Sequence, residues 1–105
     1  ALAKEYNLVL SDWGKVIDFD IIINCTSIGL KKDDCLGLDF SNVKGKIFYD
    51  IIYKPKTKFL IDAEGLGNKI IDGKMMFLYQ AQKSFEIWHG IKPEINKEVI
   101  NLLND

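Results

Sequence analysis

The amino-acid sequence predicts an α/β domain organised around a parallel sheet, and three observations predict it. Two runs, FDIIIN over residues 19–24 and KIFYDII over residues 46–52, carry consecutive β-branched and aromatic side chains with little polar alternation. That pattern belongs to strands covered on both faces, as in parallel sheets. Stretches with helical spacing follow the second run, over residues 57–67 and 73–90, so strands and helices alternate and right-handed crossovers are the expected connection. Each helical stretch ends on glycine, the common stop signal of a helix.

The elements follow in order. ALAKEY is made of helix-forming residues, but no Ser, Thr, Asp or Asn stands before it to cap the orphan amides of a first turn, and no initiator Met opens it. It reads as the tail of a helix from something longer. NLVLS, residues 7–11, is expected as a short strand, and FDIIIN as a stronger one. KIFYDII repeats that character and leads into YDIIYKPKT, where Pro55 biases Lys54 toward extended geometry and Thr57 can cap the next helix. That helix, TKFLIDAEGLG, is expected to stop at Gly65 or Gly67. NKIID over residues 68–72 is a weaker strand, and GKMMFLYQAQKSFEIWHG a longer helix ending near Gly90. At 100° per residue its Phe77, Leu78, Ala81, Phe85 and Trp88 form a stripe expected to pack on the sheet, with Met76, Gln80, Lys83 and Ile87 on another side. Pro93 interrupts, and a closing helix is expected over about residues 94–103.

Composition bounds the function. A chain of 105 residues, 48% hydrophobic and 28% charged, fits one domain with one core. With 14 basic against 15 acidic side chains it has no global field to hold a nucleic acid or an anionic membrane surface. No apolar run reaches the roughly 20 residues of a membrane span, and no signal segment opens the chain, so a cytoplasmic location is expected. Two cysteines, Cys25 and Cys35, and one histidine give neither a disulfide framework nor a zinc site, and two reduced thiols are expected.

In open α/β sheets ligands bind outside the carboxyl ends of the strands, where loops converge and helix N-termini point their amides inward. Three segments qualify: residues 24–29, 50–53 and 73–76. In NCTSIGL, Thr26 and Ser27 offer hydroxyls beside Gly29, though composition alone favours an ordinary polar strand exit with a turn glycine. Tyr53 either presents its phenol from a stiffened loop or packs as a snorkelling aromatic. Gln80 is either surface or, if its stripe faces the crevice, a carboxamide suited to a polyhydroxylated ligand. GLG at residues 65–67 fails as a dinucleotide fingerprint, because a helix precedes it and Ile70 stands where a third glycine belongs. His89 has no carboxylate or Ser fixed beside it in sequence and reads as a helix-terminal residue. Lys31, Lys32, Asp33, Asp34 and Asp39 read as a solvated loop without a carboxylate pair, nucleophile elbow or metal cluster.

In order, IINCTSIGL, YDIIYKPKT, the helix end at residues 63–67 and DGKMMFLYQAQKSFEIWHGIKP resemble the shikimate dehydrogenase family, over about residues 21–93. Each motif is short, but the ordered set, with Gln80 seven residues after Gly73 and an FxxWxG beyond it, is specific. The resemblance implies the C-terminal part of an NADP-binding domain: a partial Rossmann-like parallel sheet flanked by helices, with the N-terminal strands and the substrate domain missing. It further implies hydride transfer between NADPH and 3-dehydroshikimate, giving shikimate, with a small-molecule substrate and no nucleic acid or membrane partner. By the same resemblance Thr26 and Ser27 line the cofactor side, Ile51 lies against the nicotinamide, Gly73 and Met76 make contacts near it, and Tyr53 and Gln80 hold the substrate. Departures are Cys25 for the usual Ala, Leu30 for the usual Met, and Met75 where Gly is frequent, which is expected to crowd the cofactor. The family's Gly-rich phosphate loop, its basic 2′-phosphate motif and its catalytic Lys and Asp have no counterpart in the chain, so no catalytic residue is assigned, and the chain alone is expected to be inactive and to self-associate through an uncovered strand edge. A quinate- or NAD-using relative, a glutamyl-tRNA reductase or folate dehydrogenase sharing the domain, and a free-standing α/β binding module are the alternatives.

Overall fold

A computed structural model describes residues 2–31 and 33–104; Lys32 of the loop above lies outside the described residues. The elements are α1 (Leu2–Glu5), β1 (Ile21–Asn24), β2 (Ile47–Asp50), α2 (Lys58–Gly65), β3 (Lys69–Ile71), α3 (Lys74–His89) and α4 (Lys97–Leu102). The three strands form one sheet in the order β1-β2-β3, all parallel, with Ile22 opposite Phe48 and Phe48 opposite Ile70.

Alternation along a strand puts Ile22, Phe48 and Ile70 on one face, and α2 covers that face. Phe48, Leu60 and Ala63 are its buried centre. Thr57 caps α2 by accepting the Leu60 amide, as its position before the helix predicts. The connection from β1 to β2, residues 25–46, contains no helix among its described residues. Phe40 does the burying there: its ring meets Phe48 edge-on at 5.2 Å and Phe59 at 5.9 Å, while Phe19 closes the cluster on Phe48 at 5.7 Å. Edge-to-face aromatic pairs of this kind add to the area they bury. At the amino ends of the strands the buried Asn68 accepts the Lys46 amide at 3.0 Å and donates to the carbonyls of Val43 (2.8 Å) and Ala63 (3.2 Å), tying the loop before β2 to the end of α2.

Three expectations are corrected. Residues 7–11 form no strand: Val9 is 90% exposed, and no neighbouring strand takes up the backbone groups of the segment. The stripe on α3 does not pack on the sheet as a whole. Leu78 is buried, whereas Phe77, Ala81 and Phe85 are exposed and Trp88 is 77% exposed. The half-buried side is Lys74, Met75, Gln82 and Glu86 around Leu78, because α3 is held at its first turns and by Gln82 donating to the Pro93 carbonyl at 2.7 Å. The closing helix starts at Lys97, three residues later than expected, because Asn96 is the cap that accepts the Val99 amide.

Candidate functional site

The carboxyl end of β1 is built by its own polar residues. Asn24, buried as the last residue of the strand, donates to the Ile28 carbonyl (3.0 Å) and accepts both the amide (3.0 Å) and the hydroxyl (2.7 Å) of Thr26. The Thr26 hydroxyl in turn accepts the Ile28 amide at 3.1 Å. Its proton is therefore committed to the loop, and the exposed Ser27 carries the freer hydroxyl. Asp34, read from sequence as part of a solvated loop, reaches back to the amides of Gly29 and Lys31, both at 3.4 Å. Gly29 has φ +120°, and a Cβ there would stand 2.9 Å from Thr57 Cγ2, so no other residue fits the turn.

The carboxyl end of β2 is set by Asp50, which is fully buried. Its carboxylate accepts the Ile52 amide at 3.0 Å, the Thr57 hydroxyl at 2.7 Å and the Asn24 amide group at 3.3 Å. The chain then turns outward with Ile51 and Tyr53 half-buried, and the Tyr53 ring lies 4.8 Å from that of Phe77 on α3, tilted by 30°. Gly73 begins α3 hard against this segment: its amide donates to the Ile52 carbonyl at 3.3 Å, and a Cβ there would lie 1.9 Å from the Ile51 carbonyl oxygen. Only glycine permits so close an approach of two backbones.

Between the two strand exits and α3 lies an open pocket of about 450 Å³. Thr26, Ser27, Ile51, Tyr53, Met76 and Gln80 line it; Gly73, the remaining candidate, stands behind Ile51 as the contact that seats the helix. Tyr53 and Gln80 thus border the same void. Of the second α3 stripe, Met76 and Gln80 reach the pocket while Lys83 pairs with Glu86 and Ile87 is exposed, because only the first two turns of the helix stand over the crevice. Met75 is not among the lining residues and lies on the half-buried side of α3. The remaining walls are mostly aliphatic, with Cys25 and Leu30 at the two departures noted above, and Lys54 brings the pocket's one charge among the described residues. Asn24, Asp34 and Asp50 are what sequence reasoning missed as site builders; for Asn24 and Asp50 a polar residue closing an apolar strand was the available signal, whereas Asp34 lies in a loop.

The other sequence features fall outside this pocket. α2 ends at Gly65 with Leu66 as its C-cap, so GLG is a helix stop. His89 ends α3, its ring 4.4 Å from that of Phe85. Both cysteines are free and exposed. Among the described residues no group of three His, Cys, Asp or Glu could hold a metal ion, and no helix is long and apolar enough to cross a membrane.

Known proteins resemble this chain in sequence and in fold. A shikimate dehydrogenase (NADP(+)) of Pelagibacter ubique is 54% identical over 94 residues, an alignment covering 88% of this chain and 36% of that protein. The chain belongs to the shikimate dehydrogenase family. The crystal structure of shikimate dehydrogenase from Aquifex aeolicus matches with a TM-score of 0.80 and 35% identity, over 98% of this chain and 39% of that one. Shikimate 5-dehydrogenase from Listeria monocytogenes, solved in complex with shikimate and NAD, matches with a TM-score of 0.66 and 28% identity over 81% of this chain and 29% of that one. The chain therefore spans between a quarter and two fifths of the length of these shikimate dehydrogenases. No family model matches it. The three-stranded parallel sheet with flanking helices is the part of the family's Rossmann-like fold that these residues cover.

Proposed function

We propose that residues 1–105 serve as the C-terminal portion of the NADP-binding domain of a shikimate dehydrogenase, closed by α4, and that the pocket receives the nicotinamide end of the cofactor beside the substrate ring. The observation that supports this reading is convergence: three segments separated in sequence, residues 26–27, 51–53 and 76–80, border one pocket at the carboxyl ends of two parallel strands. Its volume suits a small polar ring and part of a cofactor, and its aliphatic walls with a few convergent polar groups are what such sites require.

The donor set fits that pair of ligands. When bound, NADPH supplies the hydride that reduces the ketone of 3-dehydroshikimate to the alcohol of shikimate, and a proton joins the oxygen. Ile51 and Met76 wall off water from the reacting face, since hydride transfer needs a dry, oriented ring. Ser27 offers its hydroxyl on the cofactor side, and Thr26 holds the loop that carries it. Gln80 donates to and accepts from the ring hydroxyls, and the phenol of Tyr53, steadied against Phe77, bonds the substrate from the other side. Gly73 sets the height of the first turn of α3 and so the reach of Met76 and Gln80. No side chain in the pocket is paired for proton transfer, so in this reading the proton comes from residues outside the chain and the 105 residues alone are inactive. The same reading makes the protein cytoplasmic, with small-molecule ligands as its partners.

Expression of the whole reading frame that contains this chain tests the proposal. NADP⁺ reduction with shikimate is the expected result, weaker with quinate or with NAD⁺, and Gln80→Ala is expected to raise KM for shikimate by about tenfold or more through loss of paired hydroxyls. Absence of turnover with both shikimate and quinate, under either cofactor, rejects the activity. Steady NADPH oxidation by the isolated 105-residue chain rejects the assigned division of labour.

A further inference from the structure

One carboxylate links the two loops that border the pocket. Asp50 lies beneath the pocket rather than in it, and no side chain of the described residues forms an ion pair with it. Its three donors come from three different segments: Asn24 at the end of β1, Ile52 in the loop after β2, and Thr57 at the cap of α2. Asn24 passes the constraint on, because its other bonds fix Thr26 and Ile28. Ile52 passes it on too, since its carbonyl receives Gly73 and its neighbours Ile51 and Tyr53 border the pocket. An aliphatic residue at position 50 would leave the Ile52 amide, the Thr57 hydroxyl and the Asn24 amide group without their shared acceptor, and buried donors left unpaired are costly.

We propose that Asp50 is the positioning residue of this site: its carboxylate sets the loop after β1 and the loop after β2 in one relative pose, so that Ser27 and Tyr53 address the same bound ligand. The proposal rests on the functional reading above for the identity of the ligand, though not for the coupling of the loops. An acceptor on both sides is required, because an amide in its place turns a donor toward the Asn24 amide group or, flipped, toward the Ile52 amide, neither of which can accept. The two loops then move independently.

The test compares wild type, Asp50→Asn, Thr57→Val and the double variant in the full-length protein, each assayed at a temperature where circular dichroism finds it folded. Shikimate and NADP⁺ binding are measured by calorimetry, and amide exchange is followed over residues 25–29 and 51–54. Asp50→Asn is expected to weaken shikimate binding about tenfold or more, in keeping with the cost of unpaired buried donors, and to raise exchange in both segments together. Thr57→Val also removes the α2 cap, but Thr57 reaches these loops through its bond to Asp50, so it should shift both readouts in the same direction by less, and in binding and loop exchange the double variant should be no worse than Asp50→Asn. If Asp50→Asn does not fold, Thr57→Val alone decides. A variant with a lower melting temperature, wild-type binding and unchanged exchange in the loops overturns the proposal and leaves Asp50 a stability residue. Should wild type bind neither ligand, the functional reading fails, and exchange rising in only one of the two segments would overturn the coupling separately.

Discussion

Asn68 and Gly73 show how single residues hold the ends of this sheet. Asn68 satisfies one amide and two carbonyls in a buried corner, and its truncation leaves the Lys46 amide and the Val43 carbonyl unpaired, while the Ala63 carbonyl keeps the backbone amides of Asn68 and Leu66. Asn68→Ala is expected to cost about 1–3 kcal/mol of unfolding free energy, measured by urea denaturation, with ligand binding unchanged in the folded protein because the residue sits at the opposite end from the pocket. Gly73→Ala acts at the other end. A methyl group 1.9 Å from the Ile51 carbonyl oxygen cannot be accommodated without moving backbone. A loss of about 1–3 kcal/mol, as for an overpacked core, is expected together with weakened ligand binding, since Met76 and Gln80 move with the helix. Asp39 supplies the pH dependence. The Ser41 hydroxyl and amide, the latter at 2.9 Å, hold its carboxyl below the ordinary value. The folded chain then binds fewer protons there than the unfolded one, so the contribution is complete above the ordinary carboxylate range and is lost as pH falls through the lowered native value. Ser41→Ala should raise the Asp39 midpoint part of the way back in an NMR titration, since the amide bond remains.

Among the elements, α2 and α3 behave in opposite ways although both were legible as helices. α2 has its cap, its stop and its buried face where the sequence indicates, because every determinant is local or faces strands adjacent in the chain. Leu60→Ala should therefore cost about 2–5 kcal/mol by denaturant melts, as it opens a cavity beside Phe48. α3 is also bounded correctly, by Gly73 and Gly90. Its periodicity, however, marks an apolar stripe without saying what that stripe meets. In this chain most of the stripe lies off the sheet, Trp88 being 77% exposed, and Trp88→Ala is expected to change the stability of the 105-residue chain by no more than about 0.5 kcal/mol. A larger loss in the same melts would mean that the ring is buried in solution by a second molecule. Asn96 and the unpaired segment 7–11 make the same point: a cap is a local signal, whereas a strand depends on a partner.

For the whole molecule, the dimensions carry the message. The radius of gyration is 16.4 Å, against about 13 Å for a compact domain of this length. The exposed surface of 8162 Å² likewise exceeds the roughly 6,000 Å² expected of a compact chain of 12.0 kDa. The uncovered segment before β1, where Val9 is 90% and Leu10 81% exposed, contributes to the excess, and so does the second face of the sheet, where Ile21 and Ile23 are each 54% exposed and Ile71 is 37% exposed beside an unpaired β1 edge. Sheet faces of this composition and open edges invite association. The 105-residue chain is expected to self-associate with rising concentration in sedimentation experiments, and Ile21→Lys with Ile23→Lys to suppress it; a monomer at every concentration would contradict this.

The sequence by itself determined the parallel sheet, the cap of α2, the stops of α2 and α3, and the membership of Thr26, Ser27, Ile51, Tyr53 and Met76 in segments that follow strand ends, because strand character, capping and turn chemistry are written within a few residues of where they act. Tertiary structure alone decided that these segments share one pocket, that the Thr26 hydroxyl is turned inward, and that Asp50 joins Asn24 to Thr57 across 26 and 7 residues of chain. Contacts of that span depend on which strands become neighbours. No local pattern encodes that, which is also why residues 7–11 and the outer stripe of α3 look structured in sequence yet lie uncovered in the fold.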